Sequence, residues 1–255
     1  MQAYDPIEIG KKVASAVVKK QNGEERKYYR FRGGRWYGGI ATADCVGCNL
    51  RCKFCWSWKI RDNYWKIGNF YTASQVAFTL NNIAVRRGYR LVRISGGEPT
   101  LSRNHLLKVI EKIEQSGLYF ILETNGILIG LDRTYAKELS EYSNIHVRVS
   151  LKGTNPREFS MLTGAKPEYF DYQIKALENL LDYGVSCNPA VMLSFSPSHN
   201  IENLIERLGS IDRRLVDEFE PEYVFLYPHV IELLKIHKLK PLKAYHPEEI
   251  PRELI

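Results

Sequence analysis

An α/β fold of alternating strands and helices is what this sequence predicts, and two observations carry the prediction. Short apolar runs suited to buried strands recur near residues 38–43, 90–95, 118–123, 145–151, 185–193 and 222–227. Between several of them lie stretches with apolar residues at helical spacing, each with a recognisable start or stop. Alternation of this kind implies a parallel sheet with crossover connections. Six units rather than eight give a partial (β/α)6 TIM-like barrel, open at one side, over residues 37–229. An N-terminal extension, basic and aromatic, covers 1–36, and a C-terminal tail covers 230–255.

The elements follow in order. In the extension, Lys11 to Lys20 suits a short helix or strand, and Asn22-Gly23 suits a hairpin turn. From Arg26 to Tyr37 basic and aromatic residues interleave. Such a run can neutralise phosphates and stack on bases, form the cationic face of an amphipathic hairpin, or dock an acidic electron donor. Thr72 and Gln75 then make a capping box, Val76, Leu80, Ile83 and Ala84 an apolar helical face, and Gly88 a stop. Leu106, Leu107, Ile110 and Ile113 repeat the face before Gly117. Tyr169, Phe170, Ile174, Leu177 and Leu181 do so before Gly184, and Ile201, Leu204, Ile205 and Leu208 follow Asn200. The tail after His229 is rich in Lys, Leu, Pro and His, and suits a helix across the barrel mouth or base.

At 255 residues with net charge +7, the chain is ample for one core. No apolar run is long enough to span a bilayer, which with the absence of a signal peptide leads us to expect a cytoplasmic enzyme with no membrane partner.

Chemistry concentrates after the first strand. Cys48, Cys52 and Cys55 are spaced C-x3-C-x2-C, with Phe54 just before the third. Three thiolates on one loop can hold three irons of a [4Fe–4S] cube and leave the fourth open to a ligand. Cys45 lies upstream, but a structural zinc site would separate its two CxxC knuckles by about 12–20 residues. A ferredoxin run usually ends in Cys-Pro. Disulfides suit an oxidising compartment, and this chain has five cysteines and no leader. Two more motifs follow strand-like runs. Gly96-Gly97-Glu98 lets the backbone approach a ligand closely, with Glu98 an acceptor for an ammonium. Glu123-Thr124-Asn125-Gly126 ends the third run. The motifs therefore gather at the carboxyl ends of the strands, where barrels of this kind place their active sites.

With these residues in this order, the chain resembles the radical S-adenosylmethionine (radical SAM) superfamily from about Ile40 to His229. The resemblance implies a [4Fe–4S] cluster on Cys48, Cys52 and Cys55, with S-adenosyl-L-methionine chelating the open iron. One electron, from a ferredoxin- or flavodoxin-type donor, would release a 5′-deoxyadenosyl radical that abstracts hydrogen from the substrate. Phe54 would lie against the adenine, Gly96, Gly97 and Glu98 would hold the methionine amino group, and Thr124 and Asn125 would belong to the same cofactor site. Val147 to Lys152 is similar to a strand of the glycyl-radical-enzyme activases, such as pyruvate formate-lyase activating enzyme, and Tyr223 to His229 to their final barrel strand. Lys152 would then pair with the methionine carboxylate, and His229 would face the ribose or carboxylate. The activases carry an aspartate where this chain has Ser150, which puts their monovalent cation in doubt although Glu123 and Thr124 are available.

Cys45 is expected to pack beside the cluster, and Cys187, Trp56, Trp58, His105, His146 and His199 to be structural. Val191 to Leu193 is a candidate border of the adenine. The leading functional reading is hydrogen abstraction from a macromolecule such as a protein glycine. The alternative is a tRNA- or nucleobase-modifying enzyme, suggested by the basic arm and by Cys55-Trp56, which resembles wybutosine-synthesis enzymes. Those carry a second cluster on three further cysteines, against the Cys45 and Cys187 left here. An iron–sulfur electron carrier or redox sensor is the lesser alternative, because it needs none of the residues around an open iron.

Overall fold

Asp5 accepts hydrogen bonds from the backbone of Ile7 and Glu8, and Pro6 supplies a fixed φ, so helix α1 (Pro6–Val17) starts cleanly. The computed structural model describes residues 3–20 and 24–254. Strand β1 (Val18–Lys19) pairs antiparallel with β2 (Glu25–Gly34), while the expected Asn22-Gly23 turn lies outside the described residues. There follow β3 (Ile40–Cys45), α2 (Trp58–Asp62), β4 (Asn69–Thr72) and α3 (Ala73–Arg87). The Thr72–Gln75 capping box forms as expected, and Gly88 ends α3 in the left-handed conformation. Next come β5 (Leu91–Ser95), α4 (Arg103–Glu114), β6 (Tyr119–Thr124), α5 (Ile127–Leu131) and α6 (Arg133–Leu139). The chain continues through β7 (Ile145–Leu151), α7 (Pro156–Thr163), α8 (Tyr169–Asp182), β8 (Cys187–Met192), α9 (Ser198–Ile211) and α10 (Arg214–Asp217). It closes with β9 (Glu220–Glu222), β10 (Val224–Phe225), α11 (Pro228–Ile236) and β11 (Ala244–Tyr245).

The main sheet has the order β1-β2-β3-β5-β6-β7-β8-β9, with β4 also on β2. From β3 to β9 every neighbour is parallel, and apart from β4, which pairs with β2, the strands follow in chain order, which is the strand array of a partial (β/α)6 barrel. Successive side chains along a strand face opposite ways, and here the two faces differ in chemistry. Ala41, Ala43, Val92, Ile94, Phe120, Leu122, Val147 and Val149 join the helices in the apolar core. The alternating set faces inward as polar groups: Arg93 reaches Thr42 and Glu123, and Arg148 reaches Glu220 and Glu222.

Three expectations change. The last parallel strand is Glu220–Glu222, not 222–227. The ladder stops where Leu193 N donates to Glu222 O; Val224 N turns instead to Ser194 Oγ, and β10 pairs with β11. The segment Tyr223 to His229 is therefore not a barrel strand, and Pro228 opens α11 across the expected 229/230 boundary. The boundary at 36/37 likewise falls in the turn between two paired strands, because β2 pairs with β3 over Tyr28 to Gly34.

The basic run is largely consumed by that pairing. Arg26 is buried against the carbonyls of Val17 and Glu98, Lys27 against those of Tyr64 and Trp65, and Arg30 and Arg32 share the buried Asp44. Cationic side chains committed in this way do not form a free phosphate-binding arm. Among the described residues no helix is long and apolar enough to cross a membrane.

Candidate active site

The loop after β3 carries the cysteines, and its shape is held from several sides. Arg51 N donates to Tyr4 Oη at 2.7 Å, Lys53 N to Leu162 O at 2.8 Å, and Arg61 Nη1 to Cys52 O at 2.9 Å. All three candidate thiols are free, Cys52 buried and Cys48 and Cys55 half-buried. They lie close enough to act on one another. Burial pushes the Cys48 thiol up first, and the charges of Glu98, Cys52 and Cys55 add to it. Burial also raises Cys52, to about 11, while the nearby Lys152 ammonium pulls the other way.

Gly96-Gly97-Glu98 follows β5 and lies directly on this loop. Glu98 N donates to Gly47 O at 2.8 Å and Ser57 Oγ to Gly96 O at 2.9 Å. A Cβ on Gly97 would sit 2.2 Å from Gly47 O, so only glycine permits the approach. The Glu98 carboxylate, expected as an ammonium acceptor, is engaged by the chain itself. It accepts from Thr100 N at 3.1 Å, from the hydroxyls of Thr100 and Thr124 at 2.6 Å each, and from Asn125 N at 2.8 Å. Glu98 thus ties the turn after β5 to the one after β6. Asn125 carries the tie onward: its Nδ2 donates to Asn49 Oδ1 at 2.7 Å and lies 3.9 Å from Cys48 Sγ.

Lys152 and Ser150 come from the carboxyl end of β7. Lys152 Nζ is 3.5 Å from Glu222 Oε2, and Ser150 Oγ is 3.4 Å from Glu222 Oε1. Gln173 was not singled out in the sequence. Its Nε2 donates to Asn125 O at 2.7 Å and Ser150 O at 3.0 Å, and its Oε1 accepts from Lys152 N at 3.2 Å. Its signal in the sequence is an amide on the mainly apolar buried face of α8, beside Phe170, Ile174 and Leu177.

The remaining candidates fall in three places. Phe54 packs with Phe195 from the loop after β8, ring centroids 5.7 Å apart. His229, on α11, donates from Nε2 to Trp56 O at 2.7 Å, and Trp58 Nε1 donates to His229 O at 2.8 Å. That ring latches the C-terminal helix to the cysteine loop. Cys45 is buried at the end of β3, and burial pushes its thiol to about 11. Cys187 opens β8 and so lies at the amino end of the strands, away from the motifs. Glu123 and Thr124, considered for a cation, do not converge. Glu123 faces inward to Arg93 Nη1 at 2.5 Å and Ser95 Oγ at 2.6 Å, while Thr124 is bonded to Glu98.

These residues fit an iron–sulfur cube better than a single ion. Among the described residues no three His, Cys, Asp or Glu side chains converge as one metal ion requires. A cube presents its irons at separate corners and spreads its thiolates further apart. Donors to sulfur, which tune such clusters, are in place: Leu50 N is 3.3 Å from Cys48 Sγ, and the Ser57 hydroxyl is 3.6 Å from Cys55 Sγ. Asn49 Nδ2, buried next to Cys48, has no acceptor among the described residues, which suits a donor to a sulfide-bearing group.

The model of the Radical SAM superfamily matches residues 44–208. The chain is 27% identical over 171 residues to the protein named "Probable GTP 3',8-cyclase" of Pyrobaculum aerophilum, covering 66% of this chain and 53% of that one. It is 28% identical over 197 residues to the protein of the same name in Methanococcus maripaludis strain C5, covering 75% and 62%. The chain thus spans little more than half the length of these curated relatives. In fold it is similar to SuiB of Streptococcus suis solved with S-adenosylmethionine, with TM-score 0.60 and 19% identity over 82% of this chain and 52% of that one.

Proposed function

This chain belongs to the radical SAM superfamily, and on that premise we propose that it abstracts hydrogen from a nucleotide-class substrate. Cys48, Cys52 and Cys55 would hold a [4Fe–4S] cluster, which with S-adenosylmethionine bound would supply a carbon-centred radical for that step.

The chain's own part is to bind, orient and exclude water. Gly96 and Gly97 would bring bare main chain to the cofactor, Lys152 would meet its carboxylate, and Phe54 with Phe195 would give its adenine an apolar wall. Thr124, Asn125, Ser150 and Gln173 would hold those groups in register through the bonds they make to one another and to Glu98. The observation that supports an enzyme over an electron carrier is the Glu98 bridge. It fastens two strand-end turns to the cysteine loop and so orders a site around an iron that a carrier would keep closed.

For the substrate, the supporting observation is that curated relatives over this stretch are named GTP 3',8-cyclases. The Lys152 motif, which resembles the activases, serves the cofactor and so favours no glycine substrate. The reading is tested by 5′-deoxyadenosine formation in the reconstituted, reduced protein supplied with purine nucleotides, with RNA, or with a nuclease-treated protein fraction. We expect stimulation by nucleotide or RNA. Stimulation by the nuclease-treated protein fraction alone would replace this reading with a protein target.

A further inference from the structure

The charges on the inner face of the sheet end at one carboxylate beside the cofactor residues. Glu222 closes β9, and its two oxygens have different partners. Oε1 accepts from Arg148 Nη1 at 2.8 Å and lies 3.4 Å from Ser150 Oγ, while Oε2 is 3.5 Å from Lys152 Nζ. The Lys152 and Glu222 side chains are 16% and 19% exposed, so solvent and salt screen this pair little. Arg148 does not depend on Glu222 alone, because Glu220 binds it through Nε and Nη2 at 2.7 Å each. Lys152 differs: Glu222 is its ion-pair partner among the described residues. Position 150, on the strand that Lys152 directly follows, is an uncharged serine whose hydroxyl lies 3.4 Å from this carboxylate.

We propose that Glu222 is a positioning residue for S-adenosylmethionine, holding the Lys152 ammonium beside the cysteine loop where the methionine carboxylate arrives. The inference rests on the reading of Lys152 as a cofactor contact. Lysine is a point charge on a flexible four-carbon stem, and ordering that stem on binding costs affinity. Gln173 fixes its backbone and Glu222 fixes its tip, so the stem is ordered before the cofactor enters. Lys152 follows the carboxyl end of β7, the same end of the parallel sheet at which the cysteine loop leaves β3. A carboxylate needed beside Lys152 thus comes from β9 rather than from position 150.

The test is the dissociation constant of S-adenosylmethionine, measured by anaerobic equilibrium dialysis on protein carrying an oxidised cluster, where no turnover occurs. Glu222→Gln keeps shape and removes charge, and it is expected to weaken binding about tenfold, a loss of preorganisation. Ser150→Asp is expected to weaken binding in the natural background, where a second carboxylate crowds Glu222, and to strengthen it in the Glu222→Gln background. That reversal of sign is a coupling that a general loss of packing does not produce. Unchanged or tighter binding in Glu222→Gln, or one sign for Ser150→Asp in both backgrounds, would overturn the proposal. Lys152→Ala separates the two layers of the inference. If it leaves affinity unchanged, the cofactor role of Lys152 fails and the proposal with it; if it weakens affinity while Glu222→Gln does not, the proposal alone fails. Should Glu222→Gln fail to load a cluster, Glu222→Asp and the Glu222→Gln/Ser150→Asp double variant decide, and failure of both to restore loading and affinity also overturns it.

Discussion

Cys48, Cys52 and Cys55 differ from the other two cysteines in their surroundings. Each of the three feels or neighbours the others, and two have donors near sulfur. Cys187 opens its strand at the far end, and Cys45 is fully buried under the Gly96-Gly97 turn. Replacing Cys48, Cys52 or Cys55 by Ala should abolish the cluster's visible absorbance and its reduced-state spin signal. Cys45→Ala and Cys187→Ala should retain both, and normal iron content in Cys52→Ala would undo the ligand assignment. Gln173 gives a second prediction at this scale. Gln173→Leu would leave Asn125 O, Ser150 O and Lys152 N without their partners. Each buried group left unmade costs about 1–3 kcal/mol, so a loss of more than about 2 kcal/mol in chemical denaturation is expected.

At the scale of elements, position along the sheet decides function. The turns after β5 and β6 and the end of β7 approach the loop after β3 only because the strands are parallel and adjacent. Gly97 shows how closely: Gly97→Ala would drive a Cβ into Gly47 O, separating the turn from the cysteine loop. Overpacking of this kind costs about 1–3 kcal/mol, and iron bound per chain should fall with it. Gly88→Ala is the control, since its Cβ meets nothing within 4 Å and only the positive φ of 67° is strained. It should cost about 1–2 kcal/mol and leave iron content intact. Elements with local signals are legible in the sequence: the apolar runs of β3, β5, β6, β7 and β8, the Thr72 cap and the glycine stops. Asn155-Pro156 and Asp132 carry equally local starts for α7 and α6, which apolar spacing in such short helices does not reveal. The final strand was misplaced because its three residues, Glu-Pro-Glu, look nothing like a strand. Glu220 and Glu222 face an interior of charges rather than a core, so the apolar run after them is the stronger pattern and belongs to β10 instead.

For the whole molecule, the cofactor motifs were legible because each is a contiguous run of the chain. The inner face was not, because Arg93, Glu123, Arg148, Glu220 and Glu222 meet only when separate strands are laid side by side. That face also bears on stability. The Glu123 side chain is 16% exposed, and burial by itself would raise its carboxyl. Arg93 and Arg148, with the Ser95 hydroxyl, outweigh burial and hold it at about 2. An unfolded chain protonates this group near the ordinary glutamate value of about 4.3. The folded state therefore gains stability that is complete above that pH and lost as pH falls towards 2. The full difference is on the order of 3 kcal/mol, roughly half of it gone by pH 3. Glu123→Gln removes the titration and the charge that compensates Arg93, leaving its guanidinium only an amide oxygen in place of the carboxylate. It should be less stable than the natural protein at neutral pH, by about 3 kcal/mol or more as for other broken buried pairs. Its urea midpoint should also fall less steeply between pH 7 and pH 3, bringing the two proteins together in acid. Parallel acid limbs for the two would mean that the inner-face charges do not couple to folding, and that Arg93 is held by something other than Glu123.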